Sequence, residues 1–146
     1  MKRRIFRQIL TVTLLLVMPV STGIAASNSP FVIVVSRDGF SDNISPRFGE
    51  AAFSMQTTTW PDGHSIQLVV LPSSDPIQYV FTQNVLHLAP YQAETRWLRF
   101  VYSGQALKPI VVQNFTQMAD TVARIPGAVG YLPVNAPLPA PLQVLP

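Results

Sequence analysis

Few residues of this sequence have types and spacings that suggest chemistry. The two histidines, His64 and His87, are 23 positions apart, and the chain has no cysteine and no clustered carboxylates to join them. A protein zinc site needs three or four such ligands. A serine nucleophile needs a strained turn with histidine and acid partners, and no Gly-x-Ser-x-Gly segment is present. We therefore predict no metal, no cofactor and no catalytic residue, hence a protein that is not an enzyme.

Two segments carry side chains that could face an anion or could be purely structural. Arg96 and Arg99 are three positions apart in a predicted helix and therefore share one side of it. They form either a small anion-facing pair or part of the solvated surface. Residues 72–76, with the sequence PSSDP, follow a predicted strand and have the serine, aspartate and proline of a helix start. The simplest interpretation of that segment is an ordinary helix cap.

The elements that would position these residues alternate between strands and helices. Runs of β-branched and apolar residues predict strands buried in a parallel sheet, and apolar residues at helical spacing predict helices. The predicted strands are 31–35, 66–71 and 128–132, and the predicted helices follow Ser45-Pro46 and cover 77–88, 91–101 and 115–124. Gly130 in the last strand predicts a close backbone approach. This order predicts an α/β domain with a mostly parallel sheet flanked by helices.

The first 26 residues have the features of a secretory signal peptide. Four basic residues within the first seven positions precede an apolar run at 9–20, and small residues follow. The run is shorter than the roughly 20 residues of a membrane-spanning helix. We predict cleavage after Ala25 or Ala26 and export to the periplasm, if the source is a bacterium with two membranes. The alternative is an uncleaved N-terminal anchor.

The charge that remains after this cleavage excludes one class of partner. Four of the ten Lys and Arg residues leave with the signal peptide, so six face seven acidic residues and the net charge becomes −1. Nucleic-acid binding needs a cationic face that displaces counterions from phosphates. No basic run remains in the exported part, so nucleic acid is excluded as the expected partner.

The C-terminal residues differ in composition from the rest. Residues 133–146 contain five prolines and no charged side chain. Such a segment is typically extended or disordered. We therefore predict a domain over 30–133 and a proline-rich tail over 134–146.

Three segments of this domain resemble one known family. They are FSM at 53–55 followed by WPDG at 60–63, WLRFVYSG at 97–104, and IPGAVGY at 125–131. The last is close to the PGAIGY signature of the type 2 periplasmic-binding-protein fold, and the set resembles the PstS-like phosphate ABC transporter substrate-binding family. The resemblance implies an α/β domain of that fold. Full-length phosphate binders have two lobes, and this chain is less than half that size, so a single lobe is expected.

The resemblance also implies where an anion would bind. In full-length phosphate binders the loop after a strand offers amides and hydroxyls to phosphate at a helix start. The matching loop here is 71–76, where Ser73 and Ser74 would donate, although the arginine and glycines of that loop are absent and Asp75 adds a negative charge. Arg99 lies in another matching segment and would add positive charge.

Two functions follow as hypotheses. The first is an exported PstS-like protein that binds phosphate or a similar small anion through Ser73, Ser74 and Arg99. The alternative is an interaction or regulatory module that retains the fold without a ligand. Such a module would use a sheet edge or the proline-rich tail to dock onto a membrane transport or sensor protein.

Overall fold

A five-stranded sheet organises the chain in the computed structural model, which describes residues 29–37 and 44–146. The predicted signal peptide, residues 1–26, lies outside the described residues. The three predicted strands and four predicted helices are present, together with two further short strands. In chain order the elements are β1 (Phe31–Ser36), α1 (Phe48–Phe53), β2 (Gln67–Val70), α2 (Pro76–Phe81), a π-helical turn (Thr82–Leu86), α3 (Pro90–Tyr102), β3 (Ile110–Val111), α4 (Phe115–Arg124), β4 (Ala128–Pro133) and β5 (Leu142–Val144).

The sheet has the order β3-β2-β4-β1-β5. Strand β2 pairs in parallel with β3 and β4, whereas β1 pairs in antiparallel fashion with β4 and β5. Four of these five strands therefore point the same way, and β1 opposes them. This confirms the predicted α/β class with a sheet flanked by helices, but the sheet is mixed and not mostly parallel, because β1 forms antiparallel pairs with both of its neighbours. The segments that follow Val70, Val111 and Pro133 lie together at one end of the sheet, named here the carboxyl edge.

One face of the sheet buries α4. Met118 and Val122 of that helix are fully buried. They lie against β4 at Gly130, where a Cβ atom would be 2.7 Å from Val122 Cγ2 and 3.1 Å from Met118 Cγ. The missing side chain therefore lets the helix approach the strand closely, as the sequence predicts.

The opposite face buries an aromatic cluster beneath α1, α2 and α3. The ring of Phe81 stacks on Tyr131 with centroids 3.7 Å apart, and it meets Phe53 and Phe31 edge-on at 5.0 and 5.8 Å. Trp97 is buried on the same face, and its indole Nε1 donates to the carbonyl oxygen of Phe53 at 2.7 Å. Helices on both faces give the layered arrangement in which a parallel sheet is stable.

The helix after β2 differs from its prediction. The spacing predicts one α-helix over 77–88 with Ile77 and Val80 facing the core, but α2 ends at Phe81 and the chain continues as the π-helical turn. Ile77 and Val80 are 38% and 41% exposed. The side chain of Asn84 donates to the Val80 carbonyl at 2.7 Å. It thereby takes the acceptor that its own backbone N–H would use in an α-helix.

The start of α1 also differs from its prediction. Ser45-Pro46 predicts a capped helix beginning there, but α1 begins at Phe48 after Arg47, whose φ is 68°. The Ser45 hydroxyl donates to the Pro46 carbonyl at 3.2 Å instead of accepting from a helix amide. The serine therefore forms part of the preceding turn and does not cap the helix.

The proline-rich segment contributes to the sheet. Leu142–Val144 forms β5, which pairs with β1, and Leu142 and Leu145 are buried. The N–H of Leu145 donates to the carbonyl of Ile33 at 2.8 Å. The apolar residues between the prolines supply core contacts that the composition of the segment does not indicate. The ordered domain therefore extends to Leu145, beyond the predicted boundary at 133.

Candidate anion-binding site

The loop after β2 lies where the chain reverses its direction across the sheet. From β2 the chain passes through α2 and α3 to β3 on one side, and from β3 it passes through α4 to β4 on the other side of β2. The helices of these two connections lie on opposite faces of the sheet. In open α/β sheets, ligands bind outside the carboxyl ends of the strands at such a switch point. The loop at 71–76 therefore occupies the position where this architecture places a ligand site.

The loop itself forms a capped turn with two exposed serines. The N–H of Asp75 donates to the Pro72 carbonyl at 2.9 Å, and Asp75 Oδ1 accepts from the N–H of Ile77 at 2.7 Å. The predicted cap is thus present, with Asp75 as the capping residue and proline at the first helical position. Ser73 and Ser74 are exposed. Their hydroxyls make no hydrogen bond to any described residue, so both are available to a ligand.

A buried chain of hydrogen bonds fixes the start of the loop. The hydroxyl of Tyr131 accepts from the N–H of Leu71 at 3.3 Å and donates to Oε1 of Gln78. Gln78 is only 1% exposed. These bonds connect the end of β2 to β4 and α2. They hold the loop against the sheet. No pattern in the sequence marks Tyr131 or Gln78 as part of the site.

The buried phenol predicts a loss of stability at alkaline pH. Burial raises the pKa of Tyr131 above its ordinary value of 10.0, and the negative charge of Asp75 raises it further. The folded state thus binds the phenolic proton more tightly than the unfolded state does. The protonated Tyr131 hydroxyl therefore makes its full contribution to the free energy of unfolding below pH 10. Above pH 10 this contribution decreases by about 1.4 kcal/mol per pH unit.

Urea unfolding between pH 8 and pH 11 measures this loss, with Tyr131→Phe as the control. The variant is less stable at pH 8, because the buried partners of the hydroxyl lose a hydrogen bond. Its free energy of unfolding should then fall less steeply with pH than that of the original chain. Equal slopes above pH 10 in the two proteins would contradict the assignment.

A small cavity opens beside the loop. Its volume is about 70 Å³, and its polar lining consists of Ser73, Gln78, Glu94 and Lys108. Ser73 is a predicted site residue, whereas Gln78 and Lys108 are not. Gln78 lies within an apolar helical pattern, and Lys108 is an isolated charge outside any motif. Only the fold brings these two residues to one cavity.

Arg99 lies apart from the two serines. It is exposed near the end of α3 and does not line the cavity. After α3 the chain leads to the start of β3, and the carbonyl of Lys108 accepts from the side chain of Gln67 at the beginning of β2. Helix α3 therefore ends toward the end of the sheet where β2 begins, away from the carboxyl edge and Ser73. Ser73 lines the cavity, and Arg99 does not.

Two further features are absent from residues 29–37 and 44–146. No three histidine or acidic side chains there are grouped so as to hold a metal ion. No helix in these ranges is long and apolar enough to cross a membrane.

The fold is found in phosphate receptors of known structure. An ABC-type phosphate transport receptor from Vibrio cholerae superposes with a TM-score of 0.57 at 16% identity, over 80% of this chain and 45% of the receptor. PstS from Borrelia burgdorferi superposes with a TM-score of 0.52 at 12% identity, over 72% of this chain and 40% of PstS. The resemblance inferred from sequence is therefore confirmed for the fold.

The same comparisons limit what the likeness means. The chain spans less than half the length of either receptor. No family model matches it, and a search of curated proteins finds no match. The fold is that of PstS-like receptors, and the ligand and the partners have to be argued from this chain's own residues.

Proposed function

We propose that this protein is an exported, non-enzymatic solute-binding protein that binds phosphate or a similar small anion at its carboxyl edge. The observation that carries the proposal is the position of Ser73 and Ser74 in the loop at the switch point of the sheet, where both are exposed and their hydroxyls bind no described residue. The fold of phosphate receptors supports the same class of function. Cleavage after Ala25 or Ala26 would release the protein into the periplasm, where a membrane component of an ABC transporter is the kind of partner it would meet.

The chemistry of the loop indicates weak binding. Two hydroxyls donate to the anion, and hydrogen bonds to a charged group contribute more than neutral ones. Asp75 already occupies the N–H of Ile77, and Pro76 has no N–H to offer. The Asp75 carboxylate repels an anion unless it accepts a proton that the anion carries, as hydrogen phosphate does. A single lobe also leaves one side of the anion in water.

Removing the two hydroxyls tests the proposal. The double variant Ser73→Ala/Ser74→Ala should bind phosphate at least about tenfold more weakly, because each lost bond to a charged group contributes more than 1 kcal/mol. Isothermal titration calorimetry at fixed ionic strength measures the dissociation constant. Ser103→Ala removes an exposed serine after α3 and should leave it unchanged. An unchanged affinity in the double variant would overturn the site.

Arg99 stays a prediction of the sequence and needs its own test. Arg99→Gln removes a charge near the end of α3, and Arg124→Gln removes a comparable exposed charge on α4. A weakening of phosphate binding in the first variant and not in the second would assign Arg99 to the site. Equal phosphate affinities of the two variants would exclude Arg99 from the site and leave Ser73 and Ser74 as its residues.

A second candidate function is the ligand-free interaction module, and one observation favours it. Strand β5 is an outermost strand of the sheet, and its Val144 is 46% exposed. An unpaired strand edge can pair with a strand of another protein. Because Leu142 and Leu145 are buried, deleting residues 134–146 would disturb the core. Val144→Lys is the better test, since loss of co-purification with an envelope protein, with the fold intact, would support docking there.

A further inference from the structure

The cavity beside the loop carries one charge of each sign on an apolar wall. Its charged lining residues are Glu94 and Lys108, and both are exposed. In the part of the chain that the structure describes, neither side chain makes an ion pair or a hydrogen bond. Both charges are therefore available to a ligand. The apolar wall is formed by Val70, Leu71, Trp97, Leu98, Pro109 and Val111.

The two charges lie toward opposite ends of the cavity. Glu94 is in the second turn of α3, which runs toward the end of the sheet where β2 begins. Lys108 lies at that end, because its carbonyl accepts from the side chain of Gln67, the first residue of β2, at 2.8 Å. Glu94 is thus nearer the carboxyl edge. The apolar wall separates a carboxylate at one end of the cavity from an ammonium at the other.

This charge pattern and the volume of the cavity define its occupant. An anion is attracted by Lys108 but repelled by Glu94, and a cation meets the reverse. A molecule with an ammonium at one end and a carboxylate at the other is attracted by both residues. Hydrocarbon between its ends suits the apolar wall. One water molecule needs roughly 10–15 Å³, so a volume of about 70 Å³ holds about five to seven heavy atoms.

We propose that this cavity binds a short zwitterion with its charges at opposite ends, an ω-amino acid of the size of γ-aminobutyrate. The ammonium of the ligand donates to the carboxylate of Glu94, and its carboxylate accepts from the ammonium of Lys108. Its methylene groups pack against the apolar wall. This site goes beyond the proposed function, because it does not depend on the hydroxyls of Ser73 and Ser74.

Calorimetric titration of the purified protein with γ-aminobutyrate, butyrate and butylamine tests the proposal at fixed ionic strength. The protein should bind γ-aminobutyrate saturably. Butyrate lacks the ammonium and butylamine lacks the carboxylate, so each should bind about threefold to fivefold more weakly, because one exposed ion pair is lost. Butyrate that binds as tightly as γ-aminobutyrate would overturn the proposal.

Exchanging the two charges gives a sharper test. Glu94→Lys and Lys108→Glu each leave two like charges at the cavity and should weaken γ-aminobutyrate binding at least about fivefold. The double variant Glu94→Lys/Lys108→Glu should regain most of the affinity, because the ligand can bind in the reverse direction. Arg124→Gln changes a charge on α4 and should have no effect. A double variant that binds no better than the two single variants would overturn the proposal.

Titration with phosphate separates this site from the proposed function. Leu98→Phe adds volume to the apolar wall, so it should abolish γ-aminobutyrate binding and leave phosphate binding unchanged. Unchanged binding of γ-aminobutyrate in this variant would overturn the cavity as its site. Binding of phosphate without γ-aminobutyrate would overturn the proposal and leave the proposed function standing. Binding of neither ligand would overturn both.

Discussion

Replacing Phe81 with alanine should lower the free energy of unfolding by about 3–5 kcal/mol, because a buried aromatic ring is lost and a cavity remains. The ring is fully buried, stacks on Tyr131 at 3.7 Å, and meets the rings of Phe53 and Phe31. The loss corresponds to a melting temperature lower by about 10–20 °C. Urea and thermal unfolding measure both quantities.

A matched truncation on the surface separates burial from the loss of an aromatic ring as such. Tyr102 is 85% exposed at the end of α3. Tyr102→Ala should change the free energy of unfolding by less than about 0.5 kcal/mol. A Phe81→Ala variant that is no less stable than Tyr102→Ala would mean that the aromatic cluster does not hold α2 on the sheet. The position of the serine loop in front of α2 would then lack its support.

The second large effect concerns the contact between α4 and β4. Gly130→Ala places a Cβ atom 2.7 Å from Val122 Cγ2, and overpacking of this kind destabilises a protein by about 1–3 kcal/mol. Val122→Ala removes the opposing methyl groups and leaves a cavity, which also destabilises. In the double variant the new methyl occupies part of that space. Its destabilisation should therefore be smaller than the sum of the two single effects by at least about 1 kcal/mol.

Denaturant unfolding of the four proteins in this cycle measures the coupling. Gly63→Ala is a control for replacing a glycine, since a Cβ there meets nothing within 4 Å. Its effect comes from the positive φ of 92° alone and needs no partner residue. Strict additivity of Gly130→Ala and Val122→Ala would contradict the close approach of α4 to β4.

Local sequence patterns predicted the main elements because their signals are strong. The β-branched run at 31–35 and the apolar run at 66–71 correspond to β1 and β2, and Gly130 marks the close helix contact. Pro76 and Asp75 correctly mark the start of α2. Each of these features depends on neighbouring residues, which is why it can be recognised without the fold.

Other features depend on contacts between distant parts of the chain and could not be predicted. Leu142–Val144 joins the sheet only because β1 offers an edge to it. The end of α2 at Phe81 follows from the side-chain bond of Asn84, which competes with the helix. The apolar spacing alone indicates a continuous helix there.

Only the part of the candidate site that depends on local sequence could be predicted. Ser73 and Ser74 stand next to a helix start in the sequence, and their position at the carboxyl edge follows from the α/β order. Gln78 and Lys108 are 30 positions apart, and only the packing of β2 beside β3 and α3 brings them to one cavity. Arg99 belongs to a matching segment of the sequence, but it does not line that cavity.

The central claim is that this lobe binds a small oxyanion at its carboxyl edge, and ligand-induced thermal stabilisation tests it most directly. The purified protein is titrated with phosphate and then with sulfate at fixed ionic strength. A ligand that binds only the folded state stabilises it by about 2.7 kcal/mol at 100 times its dissociation constant. We expect a saturable rise in melting temperature with at least one of these anions, and its loss in Ser73→Ala/Ser74→Ala. The absence of any shift at millimolar concentrations of both would contradict the claim.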